Sequence, residues 1–291
     1  AGTRGRRRGG QTAFALGAAI RDRAIAENLP IDQISTLKQA EGVVVGEWPS
    51  FSVTYLYLNN ERGPLADEKV REAVSYAIDY DGIIQGILLG NATQMRGPIP
   101  QGMWGHDEEL MQYSYDAERA KELLEEAGVA GETISYLYAS NDPNWEPIGL
   151  TLQANLAQIG LNVEMEQYAY ATMRDRLDRG EFDVAVGNWT PDFSDPYMFM
   201  NYWFDSSRHG LSGNRSFYTN EKVDELIREA ARISDQAERE ALYREAQEIV
   251  VEEDAYLYLF QRNYLLPMRA NVEGYVYNPM LLDIYNIGTM S

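Results

Sequence analysis

Nine consecutive residues hold most of the side-chain chemistry in this sequence: Trp189-Thr190-Pro191-Asp192-Phe193-Ser194-Asp195-Pro196-Tyr197. An indole beside a carboxylate suits a ligand ammonium, because the ring face attracts the cation while the carboxylate pairs with it away from water. A structural reading stands beside this one: Asp195 caps a helix that starts near Tyr197, and Trp189 is a core residue. A third reading takes Asp192 and Asp195 as a glycosidase acid–base pair, although no sequence feature sets the separation such chemistry needs. His106 and His209 stand alone in polar loops without His-x-x-x-His or Glu-x-x-His spacing and read as surface residues. Ser194 has no Gly-x-Ser-x-Gly elbow, and no Gly-x-Gly-x-x-Gly or Gly-Lys-Ser phosphate loop occurs. The sequence contains no cysteine, which excludes disulfides, thiolate metal sites and a cysteine nucleophile. The expectation is a binding chain, not an enzyme, with no metal and no cofactor.

Such a loop has to be held by the elements around it. Open α/β sheets bind ligands beyond the carboxyl ends of their strands, so the strand from Phe182 to Asn188, directly before Trp189, is its natural support. Upstream, Val53 to Leu58 reads as a strand apolar on both faces, broken by Asn59-Asn60-Glu61-Arg62-Gly63-Pro64. Val70, Ala73, Val74, Ala77 and Ile78 form one face of a helix with Asp67 near its start, and Ile83, Ile84, Ile87 and Leu88 form a shorter one that Gly90 ends. Residues 96–105 are a loop by their Gly and Pro content. Asp116 and Gly128 bracket a helix carrying Ala120, Leu123, Leu124 and Ala127. Strand Thr133 to Tyr138, helix Glu146 to Ile159, strand Leu161 to Tyr168, helix Thr172 to Arg179 and strand Phe182 to Asn188 then alternate, which predicts an α/β layer with a partly parallel sheet. Two amphipathic helices, through Val223 to Ala230 and Ala241 to Val250, and two strands, Tyr256 to Phe260 and Tyr264 to Met268, complete the pattern.

At 291 residues and 45% hydrophobic content the chain can bury a sizeable core in one large domain or two smaller ones. Lys and Arg total 25 against 45 Asp and Glu, a formal charge of −20 that repels nucleic acid and anionic membrane surfaces. No apolar run approaches the roughly 20 residues needed to span a bilayer. Residues 1–23, with Arg4, Arg6, Arg7 and Arg8 among glycines and a short apolar stretch before Arg21, imitate a signal peptide but read as a disordered or non-native leader.

Several stretches in combination carry a family pattern. They are Tyr57-Leu58-Asn59-Asn60 followed by Val70-Arg71-Glu72-Ala73-Val74-Ser75-Tyr76-Ala77-Ile78-Asp79, then Gly97-Pro98-Ile99-Pro100 with Met103-Trp104-Gly105, then Tyr115-Asp116-Ala117-Glu118-Arg119-Ala120-Lys121-Glu122-Leu123-Leu124-Glu125-Glu126-Ala127-Gly128. From about Ala24 to its end the chain resembles the family 5 extracellular solute-binding proteins of dipeptide and oligopeptide ABC importers. The resemblance implies a periplasmic binding protein-like α/β fold of type II, the large peptide-binding class. Residues 58–257 would be one nearly complete ligand-binding lobe, 24–57 a fragment of the first lobe, and 258–291 its return strand and tail, as in an N-terminally truncated member.

The function implied is passive. A peptide, or a related ammonium-bearing solute, is held in an interlobe cleft and delivered to the membrane permease of an ABC importer by a monomeric periplasmic or extracellular protein, with a lipid anchor possible in the full-length form. In that family the carboxylate of Trp-x-x-Asp, here Trp189 and Asp192, holds the peptide α-ammonium, and Asn188 and Trp104 complete the implied ligand-binding set with Arg215. Dipeptide binders also use an arginine for the ligand carboxylate, in the region matching Tyr138-Ala139-Ser140-Asn141-Asp142-Pro143-Asn144-Trp145, where this sequence has none. Arg215 is either its substitute or a surface arginine. A nickel complex, haem, a sugar or an opine remains an alternative solute, and a fragment without a working cleft is the alternative to a binder.

Overall fold

In this computed structural model the residues described are 24–26, 29–280 and 288–289; the leader expected over residues 1–23 lies outside them. Helices begin where a short polar side chain can take up an orphaned first-turn N–H. Asp67 accepts from Lys69 N, Asp79 from Gly82 N, Asp116 from Arg119 N, Asn220 from Lys222 N and Asp235 from Glu238 N. The elements run α1 (Ile31–Leu37), β1 (Val43–Leu58), α2 (Glu68–Ala77), α3 (Tyr80–Gly86), β2 (Ala92–Gln94), α4 (Ala117–Ala127), β3 (Thr133–Ala139), α5 (Trp145–Gln158) and β4 (Asn162–Tyr168). They continue with α6 (Tyr170–Asp178), β5 (Val184–Trp189), α7 (Tyr197–Phe204), α8 (Glu221–Ala230), α9 (Gln236–Glu252), β6 (Tyr256–Arg269), β7 (Val272–Glu273) and β8 (Gly288–Thr289).

Six strands form one sheet in the order β2-β6-β1-β5-β3-β4. β3 runs parallel to β4, from Thr133 opposite Asn162 to Ala139 opposite Tyr168, and parallel to β5, while β1 is antiparallel to β5 with Val53 opposite Trp189 and Leu58 opposite Val184. The partly parallel α/β sheet expected from the alternation is therefore present. The two strands expected between Tyr256 and Met268 are a single strand, β6. Its polar Gln261 stays in line because its amide exchanges two hydrogen bonds with the main chain of Gln101, Oε1 accepting from the N–H at 2.8 Å and Nε2 donating to the carbonyl at 2.9 Å.

The chain divides into two compact units. The smaller comprises residues up to Ser50 and from Arg262. Within it α1 buries Ile34 and Leu37, Ile25 bridges to Met268, and Trp48 stacks on Tyr277 at 5.1 Å. The larger, Phe51–Gln261, holds the helices from α2 to α9. Its β1 segment is buried on both faces, as the unbroken apolar run from Val53 requires. Its centre is aromatic: Trp203 lies flat on Tyr256 at 5.2 Å, with Tyr55, Phe199 and Phe204 packed around them.

One titratable group is sealed into this unit. Asp254 is 1% exposed at a φ of 50°, and its carboxyl accepts from Ser75 Oγ and Tyr113 Oη, each at 2.7 Å. Burial pushes it up to about 7, against the pull of those two donors and of the Arg71 guanidinium. The fold thus holds this proton more tightly than the unfolded chain does. The group's contribution to stability is complete below about 4 and is lost as the pH rises through about 7. Asp254→Asn, a neutral near-isostere, is expected to gain stability relative to the parent as pH rises from 5 to 8. Urea midpoints of both chains at pH 5, 6, 7 and 8 measure this; a constant difference across the series would show that Asp254 is not protonated in the fold.

Candidate functional site

The sheet order places β3 between its two parallel neighbours, so the chain leaves β3 toward β4 on one side and returns to β5 on the other. Such a reversal opens a crevice at the carboxyl ends of the two strands. Trp145 begins the helix that follows β3, and Trp189 ends β5. Both line a cavity of about 70 Å³, which they share with Tyr57, Asn188, Arg215 and residues of α6.

Arg215 is positioned from below. Asn214, fully buried, donates its amide to Tyr218 O at 2.8 Å and accepts from Tyr218 N at 3.2 Å, which fixes the loop that carries the arginine. Gly213 lets that loop pass close to α7, since a Cβ there would lie 2.2 Å from the Tyr202 carbonyl oxygen. Arg215 Nη1 donates to Tyr57 Oη at 2.9 Å, and Tyr57 Oη lies 3.1 Å from Tyr55 Oη. The surface reading of Arg215 is overturned, because the residue is 7% exposed. Among the described residues it makes no ion pair.

Tyr55 and Tyr57 occupy one face of β1, and the opposing position on β5 is Gly187. A Cβ at Gly187 would sit 2.7 Å from the Tyr57 ring and 2.8 Å from that of Tyr55. The glycine therefore makes room for the ring whose hydroxyl receives Arg215.

Trp189 is half-buried and stacks on Tyr202 at 5.1 Å. Asn188 is exposed, with Nδ2 3.2 Å from Asp142 Oδ2. Asp192, three residues past Trp189, is exposed and has no hydrogen bond or ion pair among the described residues. Asp195 is committed elsewhere. Its two oxygens receive Arg239 at 2.8 and 2.9 Å, and Oδ1 accepts from Tyr197 N at the start of α7, which is the structural reading of this residue and leaves no free acid–base pair with Asp192. Trp104 is placed apart from the cavity: Arg239 lies over its ring at 4.9 Å, and Tyr243 packs beside it. Of the five sequence candidates the fold gathers Asn188, Trp189 and Arg215 at the cavity, sets Asp192 on the following loop, and gives Trp104 to the Arg239 cluster.

A larger hollow of about 330 Å³ lies near Gln94, Arg96 and His106. Each of these groups makes a hydrogen bond to a backbone carbonyl, Tyr113 O, Leu110 O and Ile99 O respectively. Both histidines are held by carbonyls, His209 by that of Tyr218, and among the described residues no His, Asp and Glu cluster could hold a metal.

The sequence profile of bacterial extracellular solute-binding proteins, family 5 Middle, matches residues 12–210. The chain belongs to this family. Its members are extracellular solute-binding proteins. The probable D,D-dipeptide-binding periplasmic protein DdpA of Escherichia coli K12 is 52% identical over 267 residues, covering 92% of this chain and 52% of that protein. A periplasmic binding protein of Helicobacter pylori, solved with the peptide STSA, superposes with a TM-score of 0.80 at 29% identity, over 94% of this chain and 55% of that one. A dipeptide-binding protein of a Pseudoalteromonas species, solved with Met-Leu, does so at 0.80 and 25% identity, over 97% and 56%. The type II periplasmic peptide-binding fold is thus shared, and the chain spans about half the length of the relatives it matches.

Tyr57, Trp145 and Gly187 were not among the sequence candidates. The usable signal was positional, since Trp145 opens the helix after the strand adjacent to β5. Gly187→Ala is expected to destabilise the chain by about 1–3 kcal/mol through overpacking against Tyr55 and Tyr57. Gly86→Ala, in α3 with nothing within 4 Å of the added methyl, should be neutral or slightly stabilising. Chemical denaturation of the two variants compares them; equal effects would mean that Gly187 does not set the tyrosine positions.

Proposed function

We propose that this family 5 chain carries a short peptide with a free amino terminus, and that the protein to which it belongs works in the periplasm or outside the cell, handing the peptide to the permease of an ABC importer. The observation that carries the reading is the exposed, unpartnered Asp192 carboxylate one short step beyond Trp189 at the carboxyl end of β5. A carboxylate that no protein cation claims is free to pair with a ligand ammonium, and the neighbouring indole supplies an apolar wall that strengthens the pair by displacing water. Asn188 contributes a second polar contact at the same strand end, and Arg215 supplies the positive counterpart for the other end of the solute. Trp104 acts at a distance, by holding Arg239 against Asp195 at the base of the loop. D,D-dipeptides are the leading class, because the relative bearing that name is 52% identical over 267 residues, 92% of this chain. Ligand binding shifts the protein toward the conformation the permease recognises.

The test is thermal unfolding and calorimetry of the chain with D-alanyl-D-alanine, L-alanyl-L-alanine and their N-acetylated forms. Free dipeptides should raise the midpoint in proportion to the logarithm of their concentration, and the acetylated forms should not. Asp192→Asn should unfold at the parent midpoint without ligand, since its carboxylate holds nothing in the fold, and should lose tenfold or more in dipeptide affinity. Equal binding of free and acetylated peptides, or full affinity in Asp192→Asn, would overturn the assignment of the ammonium to this residue.

A further inference from the structure

The loop between β5 and α7 is held at both ends and exposed between them. Pro191 and Pro196 are buried, whereas Asp192, Phe193 and Ser194 are exposed. The hold at the far end is Arg239 of α9, which donates to both oxygens of Asp195 at 2.8 and 2.9 Å, the two side chains being 18% and 19% exposed. Its Nε donates to the Ala230 carbonyl at the end of α8 at 3.0 Å, and its guanidinium lies over the rings of Trp104 at 4.9 Å and Tyr243 at 5.6 Å. Capping α7 needs one acceptor, Asp195 Oδ1 for Tyr197 N. A second carboxylate oxygen and a cation set against two rings go beyond a cap.

Arg239 belongs to a row. Tyr243 and Gln247 follow it at four-residue spacing, which puts them on the same face of α9, and both are fully buried. Tyr243 Oη donates to Asn201 Oδ1 in α7 at 2.8 Å, and Gln247 Nε2 donates to the Gly105 carbonyl at 2.8 Å. One helix face thus grips the loop that carries Asp192, the helix that follows it and the loop that carries Trp104. The two loops also approach each other closely: at Gly105, whose φ is 79°, a Cβ would lie 3.0 Å from Pro196 Cγ. They are seated on α9 as one piece, and Asp192 stands three residues from its anchor.

We propose that Arg239 is a positioning residue for ligand binding: acting through Asp195 rather than on the solute, it fixes where the Asp192 carboxylate stands. A loop that is loose must give up its freedom when a ligand binds, and that cost is removed where the loop is already held. Lysine is no substitute, because a point charge cannot meet both carboxylate oxygens in one plane. The proposal rests on the reading of Asp192 as the ammonium partner for its effect on affinity, whereas the hold on the loop is measured without ligand.

The experiment uses Arg239→Lys and Asp195→Asn, the second of which keeps an Oδ1 for Tyr197 N while removing the charge that Arg239 grips. ¹⁵N relaxation of the unliganded chains should give lower order parameters at Phe193 and Ser194 in both variants than in the parent, with those of β5 unchanged. D-Alanyl-D-alanine, titrated by calorimetry at a temperature where every variant is folded, should bind each of them about tenfold more weakly. A double-mutant cycle then separates positioning from a general effect on the fold. In the Asp192→Asn background Arg239→Lys should cost less than about twofold, because the carboxylate it positions is gone. An equal loss in both backgrounds overturns the proposal, as do unchanged order parameters or an unchanged affinity. If Arg239→Lys fails to fold, Asp195→Asn takes its place in the cycle. If the parent binds no dipeptide the peptide reading falls, and the order parameters alone decide whether Arg239 holds the loop.

Discussion

Two adjacent asparagines at the end of β1 make the junction on which the larger unit depends. Asn59 donates to the carbonyls of Gly180 and Phe182 and accepts from the N–H groups of Glu61 and Arg62. Asn60 donates to the carbonyls of Leu58, Ser216 and Ala255. Together they tie the end of β1 to the entry of β5, to the loop carrying Arg215 and to the entry of β6. Asn59 uses both its donors and its acceptor here and Asn60 its donors alone; aspartate lacks the donors and leucine lacks everything. Each such bond is worth about 1 kcal/mol net, but a buried carbonyl left without its donor costs about 1–3 kcal/mol. The register of β1 on β5, and so the placement of Tyr57 beneath Arg215, follows from this junction.

The same economy explains the glycine and the tyrosines. The Arg215 guanidinium is buried with no carboxylate paired to it among the described residues, and its hydrogen-bonded contact is a neutral hydroxyl. Tyr57 supplies that contact, and Tyr55 supports Tyr57 through the hydroxyl pair. Two large rings side by side on one strand face require the opposing strand to be bare at that level, which Gly187 satisfies. A buried cation is thus held among neutral groups, beside the aromatic core that Tyr55 shares with Trp203 and Tyr256.

Much of this was legible in the sequence where local rules govern. The capped helices α2 and α4, the alternation from β3 to β5 and the asparagine turn follow from residue types at short spacing. Gly128, at a φ of 72°, ends α4 as a helix-terminal glycine should. Several stretches that carry the family resemblance prove to be structural ties: Arg71 donates to the carbonyls of Leu65, Ala66, Glu253 and Asp254, pinning the end of α9 to the start of α2. What spacing could not give was the company each site residue keeps. Residues 57, 145, 189 and 215 meet because four separate segments converge at one strand reversal, and no local pattern marks Arg215 as buried. Trp104 shows the converse, an aromatic in a motif-like loop whose partner is an arginine of α9. Tyr256 to Phe260 and Tyr264 to Met268 read as two strands because the polar Gln261-Arg262-Asn263 separates them in sequence, and the exchange of Gln261 with the distant Gln101 has no local signal.

The acidity of the chain bears on how such a site selects its ligand. A net charge of −20 sets up a field that disfavours the approach of any anion, screened over about 8–10 Å at physiological salt. A simple carboxylate must therefore work against the field to approach the chain. A zwitterion carries no net charge, so the long-range field does not oppose its approach. On the proposed peptide reading, its ammonium pairs with the exposed Asp192 once it is close to the protein. Overall charge and local pairing then act on different length scales, the first discriminating against anions and the second, on that reading, against solutes without an ammonium. A short peptide with a free amino terminus satisfies both requirements, and an N-acetylated one, an anion without an ammonium, meets neither.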